Sequence, residues 1–251
     1  MIDRRWIDVD LVPPRGIGVD GFAGALPESE AQLACADSGD FMSAFDLIPR
    51  ADWPDLIVAQ GDLTRLDPFI RGQGREGSCV GNGAAAAFDR CQAIQHGKIV
   101  RTSAMSLYKR IGRSASSGAV VGDALTELKE RGILPVTGEP FPHTHPATGF
   151  SQRLPDGWEA TASQFKVEEF WRVSTFDEAA TATFLGFGLV YGRSRHCICG
   201  WQAVKDGKRW LLKYKNSWEK TWGENGFGYD SESFLRGGPS GFAIRTITVR
   251  E

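Results

Sequence analysis

The stretch Arg71-Gly-Gln-Gly-Arg-Glu-Gly-Ser-Cys79 runs from a glycine-rich turn straight into a helical pattern. Beyond it, apolar residues fall at Val80, Ala84, Ala87, Phe88, Cys91 and Ile94, the spacing of one buried helix face, and Gly97 stands where a C-cap belongs. Cys79 therefore lies at a helix start, where unpaired main-chain N–H groups favour the thiolate, the nucleophilic form of cysteine. Taken alone, the residue reads equally well as a small buried side chain, since free cysteine is among the most buried residue types. Its neighbours decide.

Working outward, two more helices are expected at Ser103 to Ile111 and Asp123 to Arg131, the second stopped by Gly132 and Pro135. Its charged face reads as solvated. From Phe165 onward the chain turns to short strand-like runs at Phe165–Trp171, Leu189–Gly192, His196–Val204, Trp210–Tyr214 and Phe242–Val249, with one helix near Thr175–Phe184. A Pro- and Gly-bearing junction, Gly138 to Gly157, separates the helical part from the β-rich part. Residues 1 to 50 mix Pro13, Pro14 and several glycines with short apolar pieces and show no sustained periodicity, the pattern of an arm. Extended backbone is expected where this arm ends, before Pro49 and Pro54. The pattern is α+β, with an arm (1–50), a helical lobe (51–145) and a β-rich lobe (146–251).

A chain of 251 residues with 41% hydrophobic and 24% charged residues is long enough for a packed core and is not a disordered one. Its 29 Lys and Arg against 31 Asp and Glu leave a formal charge of −2, so no electrostatic footprint for a nucleic-acid backbone or an anionic membrane is present. No apolar run reaches the ~20 residues of a membrane span, and the charged N-terminus lacks the apolar core of a signal peptide. A cytoplasmic protein, or one assembled into a virion, is expected. Cys35, Cys79, Cys91, Cys197 and Cys199 form an odd set without framework spacing, which points to reduced thiols. Cys197 and Cys199 share one face of a strand and read as core, because His143 and His145 make an unconvincing second half of a zinc site. Gly81, Asn82 and Gly83 lack the spacing of a phosphate-binding loop.

Two stretches carry a resemblance. Gln73-Gly-Arg-Glu-Gly-Ser-Cys79 is similar to the nucleophile segment of the papain-like (C1-like) cysteine peptidases, and Lys215-Asn-Ser-Trp-Glu-Lys-Thr-Trp-Gly-Glu-Asn-Gly226 resembles their asparagine segment over nearly its whole length. His196 precedes Asn216 at a compatible distance. The resemblance spans roughly residues 45 to 235. It implies a two-lobe fold, a helical lobe and a β-barrel-like lobe, with the cleft between them. It also implies roles: Cys79 as nucleophile, His196 as general base and then acid, and Asn216 as the group orienting the imidazole. Gln73 and the Cys79 main-chain N–H would form the oxyanion hole. Trp218 would shield the His196–Asn216 bond, and Trp222 would wall the leaving-group side. The implied activity is peptide hydrolysis through a thioester, with no cofactor or metal and a polypeptide as substrate.

The chain departs from the family at several points. Glu76 stands where a cysteine is common, and Val80 where Trp is common, so the usual disulfide of the nucleophile loop cannot form. Only a few residues separate the strand near Leu189 from His196, where the family inserts a long loop. The resemblance is closest to compact bacterial and phage members. Two alternatives therefore stay open: a structural or interaction module, for example of a phage particle, and an acyl-transfer or isopeptidase enzyme using the same residues. The thiol pKa is expected to be depressed by the helix terminus and His196. The arm is expected to pack on a protein partner or on the outside of the lobes, leaving the cleft free.

Overall fold

The computed structural model describes residues 2–9, 11, 25–26, 39–193, 195–235 and 240–249. Among these are seven α-helices: α1 (Phe41–Ala44), α2 (Trp53–Gln60), α3 (Cys79–His96), α4 (Ala104–Ile111), α5 (Val121–Glu130), α6 (Trp158–Ala162) and α7 (Phe176–Phe184). Six strands follow the junction: β1 (Phe165–Val173), β2 (Gly188–Arg193), β3 (His196–Asp206), β4 (Arg209–Lys215), β5 (Phe227–Ser231) and β6 (Ser240–Val249). They form one antiparallel sheet in the order β1-β6-β2-β3-β4-β5. No helix among the described residues is long and apolar enough to cross a membrane.

Helix α3 is the axis of the molecule. Every residue from Cys79 to Ala93 is buried, as expected of a helix covered on all sides. Its small residues permit close approach. A Cβ on Gly81 would meet the Ala104 carbonyl of α4 at 2.6 Å, and one on Gly83 would meet the Cys197 sulfur of β3 at 2.9 Å. On the same helix the buried Arg90 donates to three carbonyls, those of Trp201, Phe187 and Thr183, so its charge is solvated by main chain. Gly97 caps the helix in the left-handed conformation, φ 68°.

Strand β3 is buried on both faces, which explains its near-continuous apolar run. Cys197, Cys199 and Trp201 face the core around α3, while Ile198 faces a second core. Both strand cysteines are buried free thiols, as are Cys79 and Cys91; Cys35 lies outside the described residues. A register shift between Gly200 and Gln202 then places Ala203 on the same side as Ile198. The second core gathers Trp53 with Phe176, Phe184 and Trp210 at centroid distances of 4.9–6.2 Å.

Three local expectations change. Trp53-Pro54 is the first turn of α2, not extended chain; proline is tolerated there because the first helical N–H groups lack partners anyway. Helix α5 buries Val121, Ala124, Leu125 and Leu128, so only part of its surface is solvated. Phe227–Ser231 forms a strand that alternation did not reveal, because β5 is buried on both faces.

Candidate active site

The segment before Cys79 is fixed to the segment after Asn216 by main-chain pairing. Gln73 N donates to Ser217 O at 2.9 Å and Glu219 N to Arg71 O at 3.1 Å, with Gly72 bridged to Trp218. A Cβ on Gly72 would meet the Glu219 side chain at 2.9 Å. The asparagine segment is itself a tight loop between β4 and β5. Asn216 N donates to Gly226 O at 2.9 Å, and Gly226 N to Trp222 O at 2.7 Å. Gly223 and Gly226 adopt φ 65° and 91°, and a Cβ on Gly223 would meet the Phe227 carbonyl at 2.3 Å, so the loop needs glycine there.

His196 opens β3 immediately after a tight hairpin in which Arg193 pairs with His196 and Arg195 takes φ 63°. Its Nε2 lies 2.8 Å from Asn216 Oδ1. The same Oδ1 accepts the Ser217 main-chain N–H at 2.7 Å. A main-chain N–H can only donate, so this atom is the amide oxygen, and His196 Nε2 must carry the proton. Nδ1 is left with a free lone pair. The indole of Trp218 stacks on the imidazole at 4.5 Å and 28°, covering this bond, and Trp222 stands edge-on to Trp218.

At the Cys79 thiol the main-chain N–H groups of Cys197, Val80 and Cys79 act against burial, which places the sulfur near the residue that follows His196. The structure thus bonds His196 to Asn216 and links Asn216 through Ser217 to Gln73, with Cys79 near Cys197, the residue after His196. Gln73 is held at both ends of its amide: Oε1 accepts from Ser217 Oγ at 2.6 Å, and Nε2 donates to Glu76 O at 2.8 Å. One N–H of Nε2 is therefore used and the other has no partner among the described residues. Ser217 was not singled out from sequence, although it stands inside the asparagine segment between two residues that were.

Electrostatics here differ from expectation. Burial pushes the Cys79 thiol up to about 11, against the opposing pull of the three N–H groups. Burial likewise pushes His196 down to about 4, with the Asn216 bond opposing and the nearby Arg193 charge reinforcing it. Both groups are neutral at pH 7, with the proton on sulfur. The expected depression of the thiol pKa is absent because the site is closed: Cys79 is 1% and His196 6% exposed.

The arm meets both lobes beside the site. Ala25 N donates to Arg195 O at 2.9 Å, beside His196 on the β side, and Leu26 N donates to Ala119 O at 2.9 Å on the helical side. Ala25 also forms a parallel bridge with Ala119 and is buried. The first residues dock further along. Trp6 packs on Trp222 at 5.4 Å, Asp8 accepts from Ser231 N and Oγ at 2.6 Å each, and Arg193 donates to Val9 O at 2.6 Å. Ala25 and Leu26 thus bridge the β side at Arg195, next to His196, and the helical side at Ala119, while Trp6, Asp8 and Val9 dock on the β lobe. Main-chain pairing needs no helical periodicity, which is why the sequence pattern did not show it. Pro13, Pro14 and the glycines around them lie outside the described residues.

No family model and no curated protein sequence matches the chain. Solved structures do. Xylellain, a cysteine protease from Xylella fastidiosa, superposes with a TM-score of 0.66 at 20% identity, covering 92% of this chain and 97% of that one. Digestive procathepsin L2 from Tenebrio molitor larval midgut gives 0.65 at 13% identity over 95% of this chain and 83% of its own. The proform of the ragweed pollen cysteine protease Amb a 11 gives 0.58 at 17% identity, covering 91% and 76%. A helical lobe and an antiparallel β lobe, joined around the helix that begins at Cys79, give this chain the two-lobe papain-like fold.

Proposed function

We propose that the chain is a cysteine peptidase whose N-terminal arm keeps it latent. The observation that carries this is the double bond acceptance at Asn216 Oδ1, which leaves His196 Nδ1 as a base beside the segment that lies near the Cys79 sulfur. With the arm displaced and a polypeptide in the cleft, the thiol proton passes to His196 Nδ1 and sulfur attacks the scissile carbonyl. The oxygen of the tetrahedral intermediate gains the second Gln73 N–H and the Cys79 main-chain N–H, donors typically worth on the order of 10²–10³ in rate. Collapse breaks the C–N bond as His196 protonates the leaving amine. Water, deprotonated by His196, then cleaves the thioester and returns the proton to sulfur.

Latency is supported by the two main-chain bonds of Ala25 and Leu26 and by Trp6 against Trp222. The comparison proteins include proforms of cysteine proteases, which agrees with an arm of this kind. The test is labelling of the full chain by an epoxysuccinyl probe together with hydrolysis of a fluorogenic peptide library. Both signals are expected to vanish in Cys79→Ala and to rise when the arm is loosened. Equal hydrolysis by wild type and Cys79→Ala would overturn the reading.

A further inference from the structure

The loop from Gln73 to Ser78 carries one oxyanion donor and leads into the nucleophile, so its placement decides whether the two act together. Three of its fastenings bear on this. Gln73 N reaches Ser217 O, and Gly77 N reaches Ala115 O at 2.7 Å, where a Cβ on Gly77 would press on the Gly118 and Ser116 main chain at 3.1 Å. The third is Glu76. Its carboxylate accepts the Phe150 N–H at 2.6 Å and the Gly149 N–H at 3.2 Å, gripping the backbone of the junction loop.

That loop is itself anchored on α4. The Phe150 ring packs edge-on against Tyr108 at 5.6 Å, Lys109 lies over the same ring at 4.6 Å, and Lys109 Nζ donates to the Phe150 carbonyl. Glu76 therefore links a rigid helix to the nucleophile loop through charge-assisted hydrogen bonds. Its own main-chain carbonyl is the acceptor that holds the Gln73 amide. The residue that clasps the loop is thus the residue that aims the donor.

We propose that Glu76 is a positioning residue for the oxyanion hole: its carboxylate clasps the Gly149–Phe150 backbone so that its carbonyl keeps Gln73 Nε2 aimed at the developing oxyanion. This rests on the peptidase reading. A glutamine would be a poor substitute, because one of its two termini is an N–H₂ that opposes a main-chain N–H. Transition-state charge feels the displacement of a donor much more than ground-state binding does.

The experiment compares Glu76→Gln and Glu76→Ala with their parent in the full chain, all carrying Ala25→Pro to loosen the arm. Three quantities are read: amide exchange at Gly149 and Phe150, alkylation of Cys79 by iodoacetamide, and kcat and KM on a fluorogenic peptide. Exchange at both amides should rise at least about tenfold, and kcat should fall about tenfold in Glu76→Gln and further in Glu76→Ala, with KM within about twofold. Alkylation, which develops no oxyanion, should stay within about twofold of the parent. Unchanged kcat with a freed Phe150 amide would overturn the proposal, as would alkylation and kcat falling by the same factor, the mark of general disorder at the helix start. A parent that labels at Cys79 but hydrolyses no peptide would overturn the peptidase reading, and the positioning role with it.

Discussion

The main-chain N–H of Ala25 donates to the carbonyl of Arg195 at 2.9 Å, one residue before the imidazole that faces Asn216. Proline has no N–H, so Ala25→Pro deletes this bond and strains the bridge to Ala119. Trp6→Ala removes the ring packed on Trp222. The double variant is expected to raise peptide turnover of the full chain at least about tenfold, since two anchors of order 1 kcal/mol or more are lost. A fluorogenic assay before and after substitution checks it, and unchanged turnover would show that the arm does not limit access.

The closed site predicts a pH dependence with a definite sign. With the thiol near 11 and the imidazole near 4, alkylation of Cys79 in the wild-type chain should climb steadily above pH 8 with no plateau near neutrality. In the Ala25→Pro, Trp6→Ala chain water reaches both groups, so the midpoint should move down for the thiol and up for the imidazole. Iodoacetamide rates between pH 5 and 10 read this directly. A wild-type plateau already present at pH 6 would mean a resting thiolate.

Asn216 sets the proton of His196 through an oxygen that accepts twice. Asn216→Ala frees the imidazole to rotate and should lower kcat on the order of 10²-fold. Asn216→Asp keeps an acceptor in place and adds a charge that favours imidazolium, so it should retain more activity and shift the acid limb of the pH profile upward. The two profiles, measured in the arm-loosened chain, separate orientation from charge.

A buried ion cluster behind the site joins the lobes. Asp67 meets Arg101 and Lys215 at 2.8 Å each, and Lys215 is the residue before Asn216. Burial would raise the Asp67 carboxyl, but Arg101 and Lys215 outweigh it and hold it at about 2. A carboxyl depressed on folding contributes stability that is complete above its unfolded value near 4 and is lost as pH falls through about 2. The contribution is ~2 kcal/mol. Urea titrations should show this loss in the wild type, whereas Asp67→Asn should be destabilised by ~3–5 kcal/mol at pH 7 with a flatter acid limb, because it leaves Lys215 buried and unpaired.

Gly132 and Gly138 make a matched pair for the backbone. Both have positive φ, 81° and 101°, but a Cβ on Gly132 would meet the Ala162 carbonyl at 2.0 Å, while one on Gly138 meets nothing within 4 Å. Gly132→Ala should cost more than ~3 kcal/mol and Gly138→Ala only ~1 kcal/mol, read from thermal unfolding.

What was legible in the sequence was what neighbouring residues impose on one another. The glycine-rich turn and the apolar spacing after Cys79 are local requirements and marked a helix start, while the fold and the four candidate site residues were implied by the resemblance of Gln73–Cys79 and Lys215–Gly226 to the papain-like peptidases. Helix α2 and strand β5 escaped because Trp53 and Phe227 are placed by distant partners, Trp210 and Trp201, and not by their own periodicity. The charge states also escaped, since a helix terminus beside a histidine argues for a thiolate until burial is known. Tertiary structure alone decided which atoms fasten the nucleophile loop, how the arm lies across the lobes, and that sulfur keeps its proton. Each of these depends on groups far apart in the chain excluding water from one another, and no local pattern encodes that exclusion.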